Sequence, residues 1–476
     1  MGEPMITDMV NLMIAFFLPW VTGYALIILI SGKDQLPAPL RIALSWGMGT
    51  GAVALSMMLL GAADLALTRA SVSLVLIAIL GVSLAVTARQ HPECLRFRSA
   101  AGVKDHMPRA RWSVPVSLSL FKGLLIFYIT LNLLYVFARA VGLPVHSWDA
   151  LATVAFKAKI FYFENRLPSM NALPHATYPL LVPFNETWVA FNLGHWSDTL
   201  IKSIFPFTLI SFLMIQYHFL KTFTNKMWAL MGCALLLSSN LFLLHATISY
   251  RDFFLMYYNC SVILLFCLWA KTLRSSYLWI ASLFAGLATF TKLEGTAFMM
   301  VYVLVFLMLS ARMRVDLKTR ILHFFQFTVP AGLIMGGFHL YKITHRVLQD
   351  GVGANDKTAL ILSFQRLELL PSVLIKYFHE LFFTGNWNIL WFVLLVSLVH
   401  LWRRSRRHNR EIQIIGTSLI MFFGLYAAVA VFTSNFPWIA GAKSASGISR
   451  LILHFFPLSV TLIILLNYPL KEEKPT

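Results

Sequence analysis

Apolar runs about 20 residues long recur from end to end of the chain, separated by short polar breaks. That length matches the roughly 30 Å of hydrocarbon that a helix must cross. The pattern predicts spans near 9–31, 40–60, 66–87, 115–141, 199–220, 227–247, 253–270, 277–291, 296–310, 321–341, 386–402, 412–432 and 450–468. The chain therefore reads as an all-α polytopic membrane protein with about 13 transmembrane helices, one domain over residues 1–476. The runs at 277–291 and 296–310 are short and are split by Thr291-Lys292-Leu293-Glu294-Gly295. They predict a tight hairpin, or a re-entrant pair whose tip lies below the membrane surface. The first run has no basic segment before it and no small-residue cleavage site before Lys33, so it predicts a retained helix rather than a signal peptide.

Two polar stretches interrupt this pattern, an outer loop at 142–198 and a second outer connection at 342–385. The first carries Trp148, Asp149, Lys157, Lys159, His175, Tyr178 and Glu186. Within it, Leu151, Val154, Ala155, Ala158, Phe161 and Tyr162 share one helical face and Lys157 lies off that face. Such spacing predicts a helix over 150–163 lying in the membrane interface. Residues 185–193 predict a second interfacial helix, and 359–384, with Lys376, His379 and Glu380, a third. Asn185-Glu186-Thr187 fits a glycosylation sequon, a short pattern that is common by chance.

Composition strengthens the membrane reading. The 476 residues are 58% hydrophobic and only 12% charged, about half the charged fraction of a soluble domain. Mean hydropathy is +0.72. A net charge of +19 would suit nucleic acid, but its distribution excludes that partner. Thirteen spans put 24 of the 39 Lys and Arg on one side with only 7 of the 20 Asp and Glu. The dense runs are 89–111, 311–320 and Arg403-Arg404-Ser405-Arg406-Arg407. This asymmetry is the positive-inside signature, so the basic loops and the C-terminus are expected in the cytoplasm, against anionic membrane lipids. Both polar stretches and the N-terminus are then outside. Of four cysteines, Cys94 lies in a basic loop and Cys233, Cys260 and Cys267 in apolar runs, so no disulfide framework is implied.

The residues able to do chemistry gather on the outer side. Asp149 either caps the helix that follows it or serves as a carboxylate that takes a proton from an acceptor hydroxyl. Trp148 suits the interface belt or a sugar-stacking surface. Asp252, after Arg251, opens a span and is either another cap or a second acidic group in one cleft. Lys292 and Glu294 interrupt an apolar hairpin, where ionised groups are costly and point to function unless the tip is solvated. Arg450 opens the last span on the basic-poor side; it either snorkels or binds a phosphate. No His or carboxylate cluster has metal spacing, so no metal is predicted, although a divalent cation held by the acidic pair stands as an alternative. There is no phosphate-binding Gly-rich loop and no Asp-x-Asp pair, which argues against a nucleotide donor.

These motifs together form a familiar set. Trp148-Asp149-Ala150, Lys157-Ala158-Lys159, His175 with Tyr178-Pro179-Leu180, Tyr250-Arg251-Asp252, Thr291-Lys292-Leu293-Glu294-Gly295 and Arg450-Leu451-Ile452-Leu453-His454 resemble GT-C-type membrane glycosyltransferases. The likeness spans 148–457 and is greatest to bacterial members related to the protein O-mannosyltransferase and aminoarabinose-transferase superfamily. The resemblance implies a many-span bundle, a catalytic aspartate in the first large outer loop and a polyprenyl-phosphate sugar as donor. Asp149 matches that aspartate, and Asp252 the second acidic position, in a different local sequence. Arg450, Lys292 and Arg251 are then the expected donor-phosphate partners. Trp148, Lys157, Lys159, His175, Tyr178 and Glu294 are the expected substrate-binding residues. No large soluble domain follows the last span, which favours a lipid or simple glycan acceptor over a protein. The expected activity is an inverting glycosyl transfer on the outer face of a bacterial inner membrane. A transporter or lipid flippase is the main rival, and a non-catalytic subunit of an envelope complex is a third reading.

Overall fold

The computed structural model describes residues 2–32, 34, 36–95, 116–347, 363–403, 409–439 and 447–469. Parts of the basic segments (96–111, 404–407 and the 471–474 tail) lie outside the described residues, as do 348–362 and 440–446 of the connections expected to be outside. The regular elements among the described residues are helices. In chain order they begin with α1 (Gly2–Ser31), α2 (Ala38–Ala62), α3 (Arg69–Gln90), the short α4 (Pro92–Leu95) and α5 (Val116–Gly142). A π-helical turn (Ala150–Val154) runs into α6 (Ala155–Glu164), followed by α7 (Leu181–Leu193), α8 (Ile204–Phe223), α9 (Lys226–Leu237) and α10 (Asn240–His245). Then come α11 (Arg251–Thr272), α12 (Ser275–Thr291), α13 (Leu293–Ala311), α14 (Leu317–Thr344) and α15 (Leu370–Phe382). The last are α16 (Leu390–Arg403), α17 (Arg410–Phe432), the short α18 (Phe436–Ile439), α19 (Gly447–Leu453) and α20 (Phe456–Asn467).

Among the described residues, nine helices are long and apolar enough to cross a membrane: α1, α2, α3, α5, α8 with the turn before it, α11, α13, α14 and α17. The pair α19 and α20, bent by 55° at its break, makes a tenth if counted as one span. The break has a covalent cause, because Pro457 has no N–H to continue the ladder from α19. The remaining predicted runs, 227–247, 277–291 and 386–402, are shorter apolar helices of 12, 17 and 14 residues in α9, α12 and α16. Length thus supports nine or ten crossings among the described residues, against the expected 13 or so. The run at 227–247 is divided where the Ser239 hydroxyl caps α10, accepting from Phe242 N–H at 3.3 Å.

Helix α11 is the axis of the bundle. Its apolar window is fully buried, as expected of a helix that is apolar all round. It packs against α8, α12, α13, α17, α19 and α20. Helices α3, α5 and α14 bury under a quarter of their apolar windows and form the outer ring. On the other flank α1 and α2 pack backbone to backbone: a Cβ on Gly49 would sit 2.1 Å from the Pro19 carbonyl oxygen.

The polar loop departs from its expected placement. Residues 185–193 lie in α7, every residue of which is buried among other helices rather than in the interface. Several of its polar groups are satisfied internally: Asn185 Nδ2 donates to the Thr50 carbonyl at 3.0 Å, and the Thr187 hydroxyl donates to the Ala158 carbonyl at 3.1 Å. Trp188 Nε1 reaches the Ala15 carbonyl at 2.7 Å. The Asn185 sequon is therefore inaccessible to a glycosylating enzyme. Residues 150–163 are helical as expected, and Val154, Ala155, Ala158 and Phe161 of the expected apolar face are buried, but Leu151 is half-exposed and Lys157 is fully buried. The third expected interfacial helix is α15, whose outer face presents Leu374, Ile375 and Phe378.

Candidate active site

Three helix ends meet around one carboxylate. Asp252 is the second residue of α11, where the helix dipole favours negative charge, and it is 1% exposed. Its Oδ1 takes Lys292 Nζ at 3.1 Å and His454 Nε2 at 3.0 Å. Its Oδ2 takes Arg450 Nη2 at 2.8 Å. Lys292 is the residue between α12 and α13, at a turn so tight that a Cβ on Gly295 would sit 2.1 Å from the Ala288 carbonyl. His454 lies at the break between α19 and α20, and Arg450 one helical turn before it.

The network continues in both directions. Arg450 Nη1 reaches Asp149 Oδ2 at 2.7 Å, so one guanidinium bridges two carboxylates. Lys292 Nζ also meets Glu294 Oε1 at 2.7 Å. Five ionisable groups thus form a chain from Glu294 through Lys292, Asp252 and Arg450 to Asp149. Asp149 is its open end, with a side chain 38% exposed. It makes no side-chain cap to the following turn, so the capping role is set aside. Its Oδ1 has no partner among the described residues.

Neutral side chains hold this chain in place. The Arg450 guanidinium lies over the Tyr250 ring at 4.7 Å, and the Tyr250 hydroxyl accepts from Asp149 N–H at 3.4 Å. His454 Nδ1 is bonded to the Tyr426 hydroxyl, which leaves Nε2–H to donate to Asp252. The His454 carbonyl accepts from Asn259 Nδ2 at 2.7 Å, and Asn259 Oδ1 accepts from Tyr302 at 2.8 Å. From α15, Glu380 accepts the hydroxyl of Ser449, the neighbour of Arg450, and pairs with Lys376 at 3.2 Å. Helix α15 thereby braces the helix that carries Arg450.

Of the expected site residues, Asp149, Asp252, Lys292, Glu294 and Arg450 come together. Arg251 turns elsewhere: Nη1 donates to Thr153 Oγ1 at 3.2 Å and the cation covers the Tyr178 ring at 5.2 Å. Since Thr153 donates to the Asp149 carbonyl at 2.6 Å, Arg251 braces the π-helical turn behind the acid. Tyr178 is within electrostatic reach of Glu294, Lys292 and Asp149, with burial the largest influence raising its hydroxyl. Lys157 is buried and donates to the His175 carbonyl at 2.6 Å, while the ring of His175, at φ +52°, lies tilted against that of Tyr178 at 4.7 Å. Both therefore shape the 175–178 turn. Lys159 is exposed and faces the Trp196 ring at 5.7 Å, and Trp148 is 77% exposed. Neither is brought into the ionic chain. The sequence reading assigned no role to Tyr250, His454 or Tyr426. The four-residue spacing of Arg450 and His454 was a readable signal for one helical face; Tyr426 had none.

No group of three or more His, Cys, Asp or Glu side chains suits a metal among the described residues. Arg450 fills the gap between Asp149 and Asp252 where a divalent cation bridging the two acids would stand.

Glu186 is a buried acid beside the site. Neither oxygen has a hydrogen-bond partner. Burial pushes its carboxyl up to about 8, against the pull of the Arg251 and Lys202 cations. A raised folded-state value means folding takes up a proton between about 4.5 and 8, so stability falls as pH rises through that window. Glu186→Gln is expected to remove this slope. Its thermal midpoint should match the wild type near pH 4.5 and exceed it at pH 8; parallel profiles for the two proteins would contradict the buried-acid assignment.

The fold is the all-helical membrane bundle expected from the sequence. The crystal structure of ArnT from Cupriavidus metallidurans bound to undecaprenyl phosphate is similar to it, with a TM-score of 0.50 and 15% identity, covering 72% of this chain and 60% of that one. The likeness is one of fold, and this chain spans about three fifths of the length of that protein. No family model and no curated protein matches the chain by sequence.

Proposed function

We propose that this protein transfers a sugar from a polyprenyl-phosphate donor to a lipid or glycan acceptor, with inversion, on the outer face of a bacterial inner membrane. The observation that carries the reading is the Arg450 guanidinium, held between a half-open Asp149 and a buried Asp252. Asp149 Oδ1 takes the proton from the acceptor hydroxyl as that oxygen bonds to the anomeric carbon. The bond from the anomeric carbon to the phosphate oxygen breaks on the opposite face, and polyprenyl phosphate leaves with the electron pair. Arg450, whose Nε–H is buried without a partner, and Lys292 neutralise the charge that grows on the leaving phosphate. Asp252 fixes both cations rather than touching substrate. The fold neighbour, crystallised with undecaprenyl phosphate, supports a polyprenyl-phosphate partner. The excess of Lys and Arg in the basic segments supports a cytoplasmic side away from the site, and so an outward-facing site.

Arg450→Lys is expected to lower kcat by about 100-fold, because one ammonium cannot hold two carboxylates and a phosphate together. An unchanged kcat would remove the phosphate role. The reading as a whole is tested with purified full-length protein in nanodiscs and a labelled polyprenyl-phosphate sugar. Loss of label from the donor to an added envelope-lipid extract supports transfer. The 55° break between α19 and α20 favours a carrier as the second reading, since discontinuous helices line transport sites. Movement of intact labelled lipid across sealed vesicles, without cleavage, would replace transfer with transport.

A further inference from the structure

A groove of about 680 Å³ lies between α5 and α10, lined by Tyr128, Leu131, Tyr135 and Arg139 on one side and Asn240 and Leu244 on the other. That volume is within the range of ligand sites. Its α5 wall faces outward, with Leu131 53% and Tyr135 49% exposed, so the groove opens sideways into the surrounding lipid. The charge sits at one end. Arg139 is in the last turn of α5, and its buried Nε has no hydrogen-bond partner. Lys202, which lies within electrostatic reach of Arg139, donates to the Leu143 carbonyl at 2.5 Å. A cationic head above an aromatic and aliphatic trough is the complement of an anionic amphiphile.

Both walls run on into the active site. Helix α5 ends at Gly142 and the chain reaches Asp149 seven residues later; α10 ends at His245 and reaches Asp252 after the same interval. The His245 ring lies 5.8 Å from Tyr250, whose ring carries Arg450. We propose that this groove seats the acceptor: a phosphate-bearing lipid whose anion meets Arg139, whose tail lies along Tyr128, Leu131 and Tyr135, and whose hydroxyl is presented to Asp149. The donor phosphate is assigned to Arg450 and Lys292, on α19 and the α12–α13 turn, so the α5 side is the one left for the partner that must reach the base. The role as acceptor rests on the transfer reading; the lipid binding does not.

The test uses full-length protein with p-benzoylphenylalanine in place of Leu131, irradiated in nanodiscs of phosphatidylglycerol or phosphatidylcholine. Adducts are measured by mass spectrometry. About fivefold more adduct with the anionic lipid is expected, the equivalent of roughly 1 kcal/mol for one cation at a membrane surface. Arg139→Gln should bring the ratio near one and Arg139→Lys should keep it. Equal adducts in the two lipids with Arg139 intact would overturn the site. Displacement of the phosphatidylglycerol adduct by equimolar long-chain polyprenyl phosphate would assign the groove to the donor and overturn the acceptor role. None of these readouts requires turnover, so failed transfer and failed lipid binding are seen separately.

Discussion

Asp149→Asn is expected to lower transfer by roughly 10²–10⁴-fold, the range of a lost general base, while the protein folds and inserts normally. The amide has nearly the shape of the carboxylate and still accepts a hydrogen bond from Arg450, but it cannot take the acceptor proton. The lost ion pair is a half-open one, with Asp149 38% exposed, and Arg450 keeps its buried partner Asp252. Exposed pairs are worth about 1 kcal/mol or less, so the melting temperature should move little. Initial rates with labelled donor, beside thermal unfolding in detergent, separate the two effects. Turnover near that of the wild type would remove Asp149 as the base. A fall in donor affinity with kcat unchanged would recast it as a residue that only positions Arg450.

Much of this arrangement is legible in the sequence. Apolar length marked the helices, and ionised residues at apolar boundaries marked Asp149, Asp252, Lys292, Glu294 and Arg450, because charge is retained near a membrane only where it is paired or used. What was not legible is the partner of each group. Asp252 read as a second acid facing substrate, yet three cations or donors saturate it. Adjacent residues Arg251 and Asp252 leave the first turn of α11 in different directions, and spacing along a chain does not say which one meets Arg450. Helix α7 was misplaced for a related reason. Its Asn185, Glu186 and Asn192 look solvated in sequence, whereas the carbonyls of Thr50, Leu181 and Trp188 take up the two amides. Lys157 lay off the apolar face of its helix only on paper, since the His175 carbonyl that receives it belongs to a turn with no sequence pattern of its own.

Asp252→Ala should have the largest effect on the fold. The substitution leaves His454 Nε2 without its acceptor, and leaves Arg450 and Lys292 each with a single carboxylate, Asp149 and Glu294. Breaking a buried charge network from one side typically costs about 3–5 kcal/mol, most of it from the cations left behind. Thermal unfolding should therefore shift down strongly and transfer should be lost, because the bridge that holds Arg450 against Asp149 is anchored at Asp252. Adding Lys292→Met to Asp252→Ala removes a half-paired cation and leaves Glu294, 28% exposed, free to turn to solvent, so the double variant should recover part of the stability and none of the transfer. That split distinguishes an electrostatic anchor from a packing residue, for which the second substitution would only add damage. An Asp252→Ala protein that melts and turns over like the wild type would show that the cations are held by something other than this carboxylate, and the ordered site built on it would have to be abandoned.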